Sequence, residues 1–205
     1  MSARGIVFIV SAPSGSGKST LVNSLLQSVP DLSFSISYTT RQPRGSEVNG
    51  KEYFFVDEVT FDTMVSADQF LEYARVYDYR YGTARSYVEQ TLSMGKDLIL
   101  DIDTNGAAQV KSKVPEAISI FIMPPSYAAL KARLENRRQD TPDNIQKRLS
   151  WACNTEIYRY SNYNYIVVNE ELSQSVSLMR SIVLAERCRK NRMEERVQSI
   201  IRSFH

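Results

Sequence analysis

The sequence predicts an α/β fold built on a parallel, doubly wound sheet. Three observations point there. The N-terminal run Gly5 to Val10 (GIVFIV) is too continuously apolar and β-branched for a strand with one wet face, a strand-then-helix alternation returns three more times, and no repeat, low-complexity tract or linker divides the 205 residues. The chain therefore reads as one domain over 1–205. Its core takes 1–33, 97–136 and 150–205, a small β-rich insertion takes 34–96, and a mobile helical lid takes 137–149.

The elements follow in order. Gly5 to Val10 suits a strand buried on both faces, and a helix follows from Lys18 to Ser28. Between 34 and 96 the texture changes to short aromatic and β-branched segments, Phe34 to Tyr38, Glu52 to Val56, Phe70 to Tyr77 and Tyr79 to Thr83, separated by turn residues. The alternation then resumes with Asp97 to Ile102 and a helix from Asn105 to Lys113, and again with Ile118 to Ile122 and a helix from Ser126 to Arg137. The polar stretch Arg138 to Asp143, with Pro142 between two helical patterns, has the make-up of a flap. Tyr165 to Val168 and one long helix from Leu172 to about Arg202 complete the chain.

Composition narrows the chemistry. The longest apolar run, Ile6 to Val10, falls far short of the ~20 residues a membrane span needs, and the N-terminus lacks a signal pattern, so a cytoplasmic protein is expected. Cys153 and Cys188 are too far apart for a metal-binding or redox spacing and read as reduced thiols. The single histidine is His205, which removes histidine-based triads and histidine-rich metal sites. Catalysis must then run on carboxylates, hydroxyls, Lys, Arg or a hard cation such as Mg²⁺, which favours phosphate chemistry.

After the first strand comes Ser11-Ala12-Pro13-Ser14-Gly15-Ser16-Gly17-Lys18-Ser19-Thr20, close to the phosphate-binding pattern GxxxxGK[ST] and in the required strand, loop, helix context. Gly15 and Gly17 let successive N–H groups turn inward beside the positive end of the next helix. Lys18 would reach the β and γ phosphates of a nucleoside triphosphate, and Ser19 would ligate Mg²⁺. Ala12 replaces the first glycine, which an alanine tolerates where no positive φ is needed. Asp101 and Asp103 project from one face at the carboxyl end of an apolar strand, the edge where α/β sheets bind ligands. The pair suits Mg²⁺ or a donor-rich base, and Asp103 alone equally suits a helix cap.

The segment Thr39-Thr40-Arg41-Gln42-Pro43-Arg44-Gly45-Ser46-Glu47-Val48-Asn49-Gly50-Lys51-Glu52-Tyr53-Phe54-Phe55 resembles the signature of guanylate kinases. With the phosphate loop, Leu100-Asp101-Ile102-Asp103, Tyr81-Gly82-Thr83 and Val167-Val168-Asn169, the resemblance extends over essentially the whole chain. It implies a P-loop kinase core with a GMP-binding insertion and a lid, and the reaction of ATP with GMP to ADP and GDP with Mg²⁺. It assigns Arg41, Arg44, Tyr53 and Tyr81 to the GMP phosphate, and Glu72, Ser37, Thr83 and Asp103 to the guanine. Arg133, Arg137 and Arg148 fall to the lid, over the transferring phosphoryl group. Lys18, Arg44, Arg137 and Arg148 are then the catalytic residues, Asn169 joins the nucleotide-binding loop, and Ser19 and Asp101 hold the metal.

Residue chemistry agrees. Arg41 and Arg44 sit three apart around Pro43 and can converge on one phosphate as forked donors. A carboxylate matches guanine's N1 and N2 donors; leaving a desolvated Glu72 unpaired against adenine would cost ~3 to 5 kcal/mol, a preference of about 10²- to 10³-fold. By pattern alone Glu72 reads as a surface carboxylate. Arg133 and Arg137 lie four apart on one helix, a spacing that repels and so asks for a shared anion or a solvated face. No residue evidently reads the ribose 2′-OH, so dGMP is expected beside GMP.

Asp78-Tyr79-Arg80, Asn105 and Arg138 depart from the family pattern, bearing on substrate affinity and lid motion. Two other classes compete. Guanylate-kinase-like modules of scaffolding proteins bind peptides, but they typically lack a working phosphate loop. The basic cluster Arg187 to Arg192 suggests nucleic acid, yet a net charge of +2 and the neighbouring Glu194 and Glu195 favour a solvated or subunit-contact helix, which admits a homo-oligomer. No nucleic acid and no membrane is therefore expected among the partners.

Overall fold

A computed structural model describes residues 4–76, 78–136 and 141–204. In chain order it runs β1 (Val7–Ser11), α1 (Lys18–Ser28), β2 (Leu32–Phe34), β3 (Tyr38–Thr39), β4 (Phe54–Phe55), α2 (Glu58–Ser66), β5 (Phe70–Val76) and β6 (Tyr79–Ala84). Then come α3 (Arg85–Ser93), β7 (Asp97–Asp101), α4 (Thr104–Lys113), β8 (Ile118–Met123), α5 (Tyr127–Asn136) and α6 (Pro142–Trp151). A π-helical turn (Ala152–Glu156) and a 3₁₀ turn (Ile157–Asn162) lead to β9 (Tyr165–Val168), α7 (Leu172–Arg187) and α8 (Lys190–Arg202).

The central sheet is all parallel, in the order β2-β7-β1-β8-β9. Alternation along β1 sends Phe8 and Val10 to one face, where they meet Leu21, Val22 and Leu25 of α1 and Met179 and Val183 of α7. Val7 and Ile9 go to the other face, against Val88 and Leu92 of α3 and Ala107 and Val110 of α4. Both faces are covered, as the continuous apolar run requires. A smaller mixed sheet, β4-β3-β6-β5, stands beside it and is filled by Tyr38, Phe54, Phe61 and Phe70. A third cluster of Leu130, Leu134, Leu149 and Ala152 fastens α6 to α5.

Several expected elements differ. The long C-terminal helix is two helices, because the chain turns at Cys188 and Arg189, where the Arg189 guanidinium folds back onto the buried Glu186 carboxylate. Helices α2 and α3 were not anticipated; α2 starts on Asp57, which accepts the Thr60 N–H at 2.7 Å, whereas α3 has no side-chain cap at all. Phe34 to Tyr38 divides between β2 and β3. Pro142 and Asp143, read as part of an irregular flap, instead open α6 behind Thr141, a helix start that proline favours. Arg137 and Arg138 lie outside the described residues, as do Tyr77 and His205.

Candidate active site

The loop between β1 and α1 turns on Gly15 and Gly17, with φ of 92° and 87°. At Gly17 a side chain is also barred by space, since a Cβ there would lie 2.7 Å from Asn169 Nδ2. That amide, 6% exposed, donates to the Ser16 carbonyl at 2.8 Å. Arg133 donates to the same carbonyl at 3.3 Å and to the Asn169 carbonyl at 2.8 Å. Two residues expected to touch nucleotide or the transferring phosphoryl group thus also brace the loop, stitching α5 and the end of β9 to it.

Lys18 pairs with Asp101 and donates to the Ile102 carbonyl at 3.1 Å, so the loop lysine is already anchored to the carboxyl edge of β7. Ser11 is fully buried, its hydroxyl donating to the Asp103 carbonyl at 3.4 Å. Ala12 and Pro13 are buried beside the loop, while Ser19 and Thr20 stand exposed at the start of α1. The Ser14 N–H donates at 3.3 Å to Glu156, a residue that the sequence did not single out. Burial pushes this carboxyl up, against the pull of the Ser14 amide and of Lys18. Its signal lay in the fold, because only the π-helical turn after α6 carries it to the loop.

Two clefts meet here. The first, about 530 Å³, takes its walls from Ser37, Arg44, Tyr53, Glu72, Tyr81, Asp101 and Arg148. The second, about 570 Å³, runs along Ala12 to Ser19 with Asn105, Trp151 and Glu156. Ser14, Lys18, Ser19, Asp103 and Lys147 line both, so the two are adjoining rooms of one site.

At one end of the first cleft the signature segment organises its own cations. Arg41 is 6% exposed, lies 5.3 Å from the Tyr53 ring centroid, and pairs with Glu47 at 2.9 Å. The other Glu47 oxygen accepts the Arg44 N–H at 2.7 Å, so one carboxylate positions both arginines. Burial pushes the Tyr53 hydroxyl up to about 12, keeping it a neutral donor. Tyr81 meets it edge to face at 5.8 Å.

At the other end lies Glu72, 2% exposed rather than a surface carboxylate. The Thr83 hydroxyl donates to it at 2.6 Å across the β5–β6 pairing, positioning the carboxylate. Burial pushes the Glu72 carboxyl up to about 7; the Thr83 hydrogen bond opposes this and nearby Asp103 adds to it. Asp103 caps α4 by accepting the Gly106 N–H at 2.9 Å and also lines both clefts. Gly106 must stay bare, since a Cβ would stand 2.6 Å from Glu72 Oε2. Ser35, 2% exposed and unremarked in the sequence, lies in this wall with no partner for its hydroxyl among the described residues.

Arg80, one of the departures, points away from the site: it binds Asp62 at 2.6 Å and Glu58 at 3.2 Å, over the Phe61 ring at 4.3 Å, and fastens β6 to α2. Asp78 and Tyr79 line the first cleft, and Asn105 accepts from Arg159 at 3.0 Å. In the basic cluster, Arg187 binds Asp97 at 2.7 Å, Arg189 binds Glu186 at 2.7 Å, and Arg192 donates to the Arg4 carbonyl. No group of three acidic, cysteine or histidine side chains forms a metal cage among the described residues. Ser19 and Asp101, one hydroxyl and one carboxylate in the wall of the first cleft, are a donor set of the sparse kind Mg²⁺ accepts beside substrate phosphates.

A family model described as guanylate kinase matches residues 4–186. The chain is 54% identical over 190 residues to a guanylate kinase of Koribacter versatilis (strain Ellin345), covering 91% of this chain and 81% of that one. It is 45% identical over 201 residues to a guanylate kinase of Escherichia coli (strain K12), covering 97% of each. The crystal structure of guanylate kinase from Anaplasma phagocytophilum superposes with a TM-score of 0.75 at 30% identity, over 93% of this chain and 90% of that one.

Proposed function

This chain belongs to the guanylate kinase family, and from that premise we propose how its two clefts serve the reaction, transfer of the γ-phosphoryl group of ATP to GMP to give ADP and GDP. The observation that carries the residue assignment is the junction of the clefts at Lys18 and Asp103, which sets a phosphate loop next to a pocket floored by a buried carboxylate.

The loop amides and Lys18 hold the triphosphate, and Lys18 leaves Asp101 for the phosphates as ATP enters. Arg44, Tyr53 and Tyr81 hold the GMP phosphate, with Arg41 backing them. Glu72 and Asp103 accept from guanine N1–H and N2–H, Ser37 completes the base edge, and Thr83 fixes Glu72. A GMP phosphate oxygen attacks the γ-phosphorus in line as the bond to the ADP oxygen breaks, with no covalent enzyme intermediate. Arg148 neutralises charge on the moving group together with Arg137; a clamp of this kind is worth ~10³ to 10⁵ in rate. Ser19 and Asp101 would hold Mg²⁺, which supplies further neutralisation of the phosphate oxygens when bound.

Arg133 and Asn169 hold the frame of the loop and, with it, keep their places beside the transferring phosphoryl group and the nucleotide. The division into core (1–33, 97–136, 150–205), GMP-binding insertion (34–96) and lid (137–149) is part of this reading. So are dGMP as a second substrate and a place in purine nucleotide metabolism. No described helix is long and apolar enough to cross a membrane, which supports a cytoplasmic location. An exposed apolar row on α8, Val197, Ile200 and Ile201 with Phe204 beyond it, supports a homo-oligomer.

Incubating the purified protein with Mg-ATP and each of GMP, dGMP, AMP, CMP and UMP tests the reading. GDP and dGDP should form, and the other diphosphates should not. Lys18→Ala should abolish turnover while leaving the thermal transition in place; a variant that keeps most of its activity would refute the loop assignment.

A further inference from the structure

Helix α6 and the π-helical turn that follows it form one helical rod that reaches both clefts. Arg148 of this rod stands in the wall of the first cleft, and Glu156, at the far end of the turn, stands in the wall of the second. The phosphate loop meets the rod and its support at two consecutive residues. The Ser14 N–H donates to Glu156 Oε2 at 3.3 Å. At Gly15 a Cβ would lie 2.8 Å from Leu134 Cγ and 3.2 Å from Leu130 Cδ1, so the loop backbone packs on the same two leucines that hold Leu149 and Ala152 of the rod. Three residues beyond Glu156, Arg159 donates to Asn105 at 3.0 Å, which ties the chain after the rod to the start of α4.

These two contacts do different things. Apolar packing at Gly15 sets how near the loop lies but not which way its peptides face, because such contacts have no direction. A hydrogen bond has one, and Glu156 is the one side chain that accepts from an amide of the loop among the described residues. It fixes the peptide between Pro13 and Ser14, from which the rest of the cradle follows in sequence. An anion in the wall of a triphosphate cleft would by its charge alone oppose the ligand, so the use of Glu156 lies in its acceptor oxygen. From this arrangement we propose that Glu156 is a positioning residue for phosphoryl transfer: acting through Ser14, it aligns the phosphate loop with the helix that carries Arg148. The assignment rests on the reading of the second cleft as the triphosphate site and adds to it a physical link to the arginine of the first.

The test compares Glu156→Gln, Glu156→Asp and Glu156→Ala in steady-state kinetics with ATP and GMP. Glutamine keeps an acceptor oxygen at the same reach without the charge, aspartate keeps the charge but draws the acceptor back by one methylene, and alanine keeps neither. The glutamine variant should hold kcat within about twofold of wild type, with KM for ATP equal or lower. The aspartate and alanine variants should each raise KM for ATP about tenfold and lower kcat about tenfold, with KM for GMP unchanged. A merely structural role would lower the melting temperature and the amount of active enzyme while leaving both KM values alone. A wild-type KM for ATP in the alanine variant, an aspartate variant better than the glutamine one, or a KM for GMP that rises with that for ATP overturns the proposal. If the alanine variant does not fold, the aspartate and glutamine pair decides by the same criteria. Wild-type turnover of GMP with ATP is the separate measurement on which the underlying reading stands.

Discussion

Glu72 holds burial and charge in opposition. Its folded value of about 7 lies above the ordinary 4.5, so its contribution to stability is complete below pH 4.5 and is lost as pH rises through 7. In the ligand-free protein, Glu72→Gln should therefore raise the melting temperature relative to wild type by more at pH 8 than at pH 5. The same variant should lose the preference for GMP over AMP by about 10²-fold, because an amide offers one donor where the base needs only acceptors. Melting curves at the two pH values check the first outcome and kcat/KM ratios the second; equal gains at both pH values would show that Glu72 is not held neutral by burial. Glu47 lines neither cleft, yet its two oxygens position Arg41 and Arg44. Glu47→Ala should raise KM for GMP about tenfold with KM for ATP unchanged, which steady-state kinetics would read directly.

At the scale of elements, α6 is tied at once to α5 and to the loop after β1. Its inner face is fixed by Leu149 and Ala152 against Leu130 and Leu134, and the π-helical turn that continues it delivers Glu156 to the Ser14 amide. π-helical turns recur at functional sites because they re-aim a side chain that a regular helix would carry elsewhere. At the other end of the chain α8 buries none of its residues. A chain ending at Arg189 keeps all of α7 and the Arg187–Asp97 and Arg189–Glu186 pairs. Its melting temperature should stay within about 3 °C of full length, and differential scanning calorimetry decides this. Loss of the cooperative transition would place α8 in the folding unit after all.

For the molecule as a whole, what the sequence disclosed was what is local. The phosphate loop announced itself because its function lies in consecutive backbone amides, and the signature around Arg41 and Arg44 because Glu47 is only a few residues away. The pairing of Glu72 with Thr83 needs the antiparallel β5–β6 register, with its irregularity between Phe70 and Glu72, and no spacing rule yields it. That Arg133 and Asn169 also brace the loop could not be read, because their partners come from segments more than thirty residues away. Helix α3 lacks a capping residue, and the break before α8 has neither glycine nor proline, so both were illegible. Strand order has a consequence of its own. β1 is made first but is flanked only by β7 and β8, so a fragment of residues 1–96 should show no cooperative unfolding by circular dichroism, and a sharp transition would contradict this. On the ribosome, β1 waits with both hydrogen-bonding edges bare until β7 emerges, and with one edge bare until Met123 has left the exit tunnel, an aggregation-prone VFIVS segment for all that time. The core of this enzyme therefore closes late in translation, and any shielding the nascent chain receives is needed first at its own central strand.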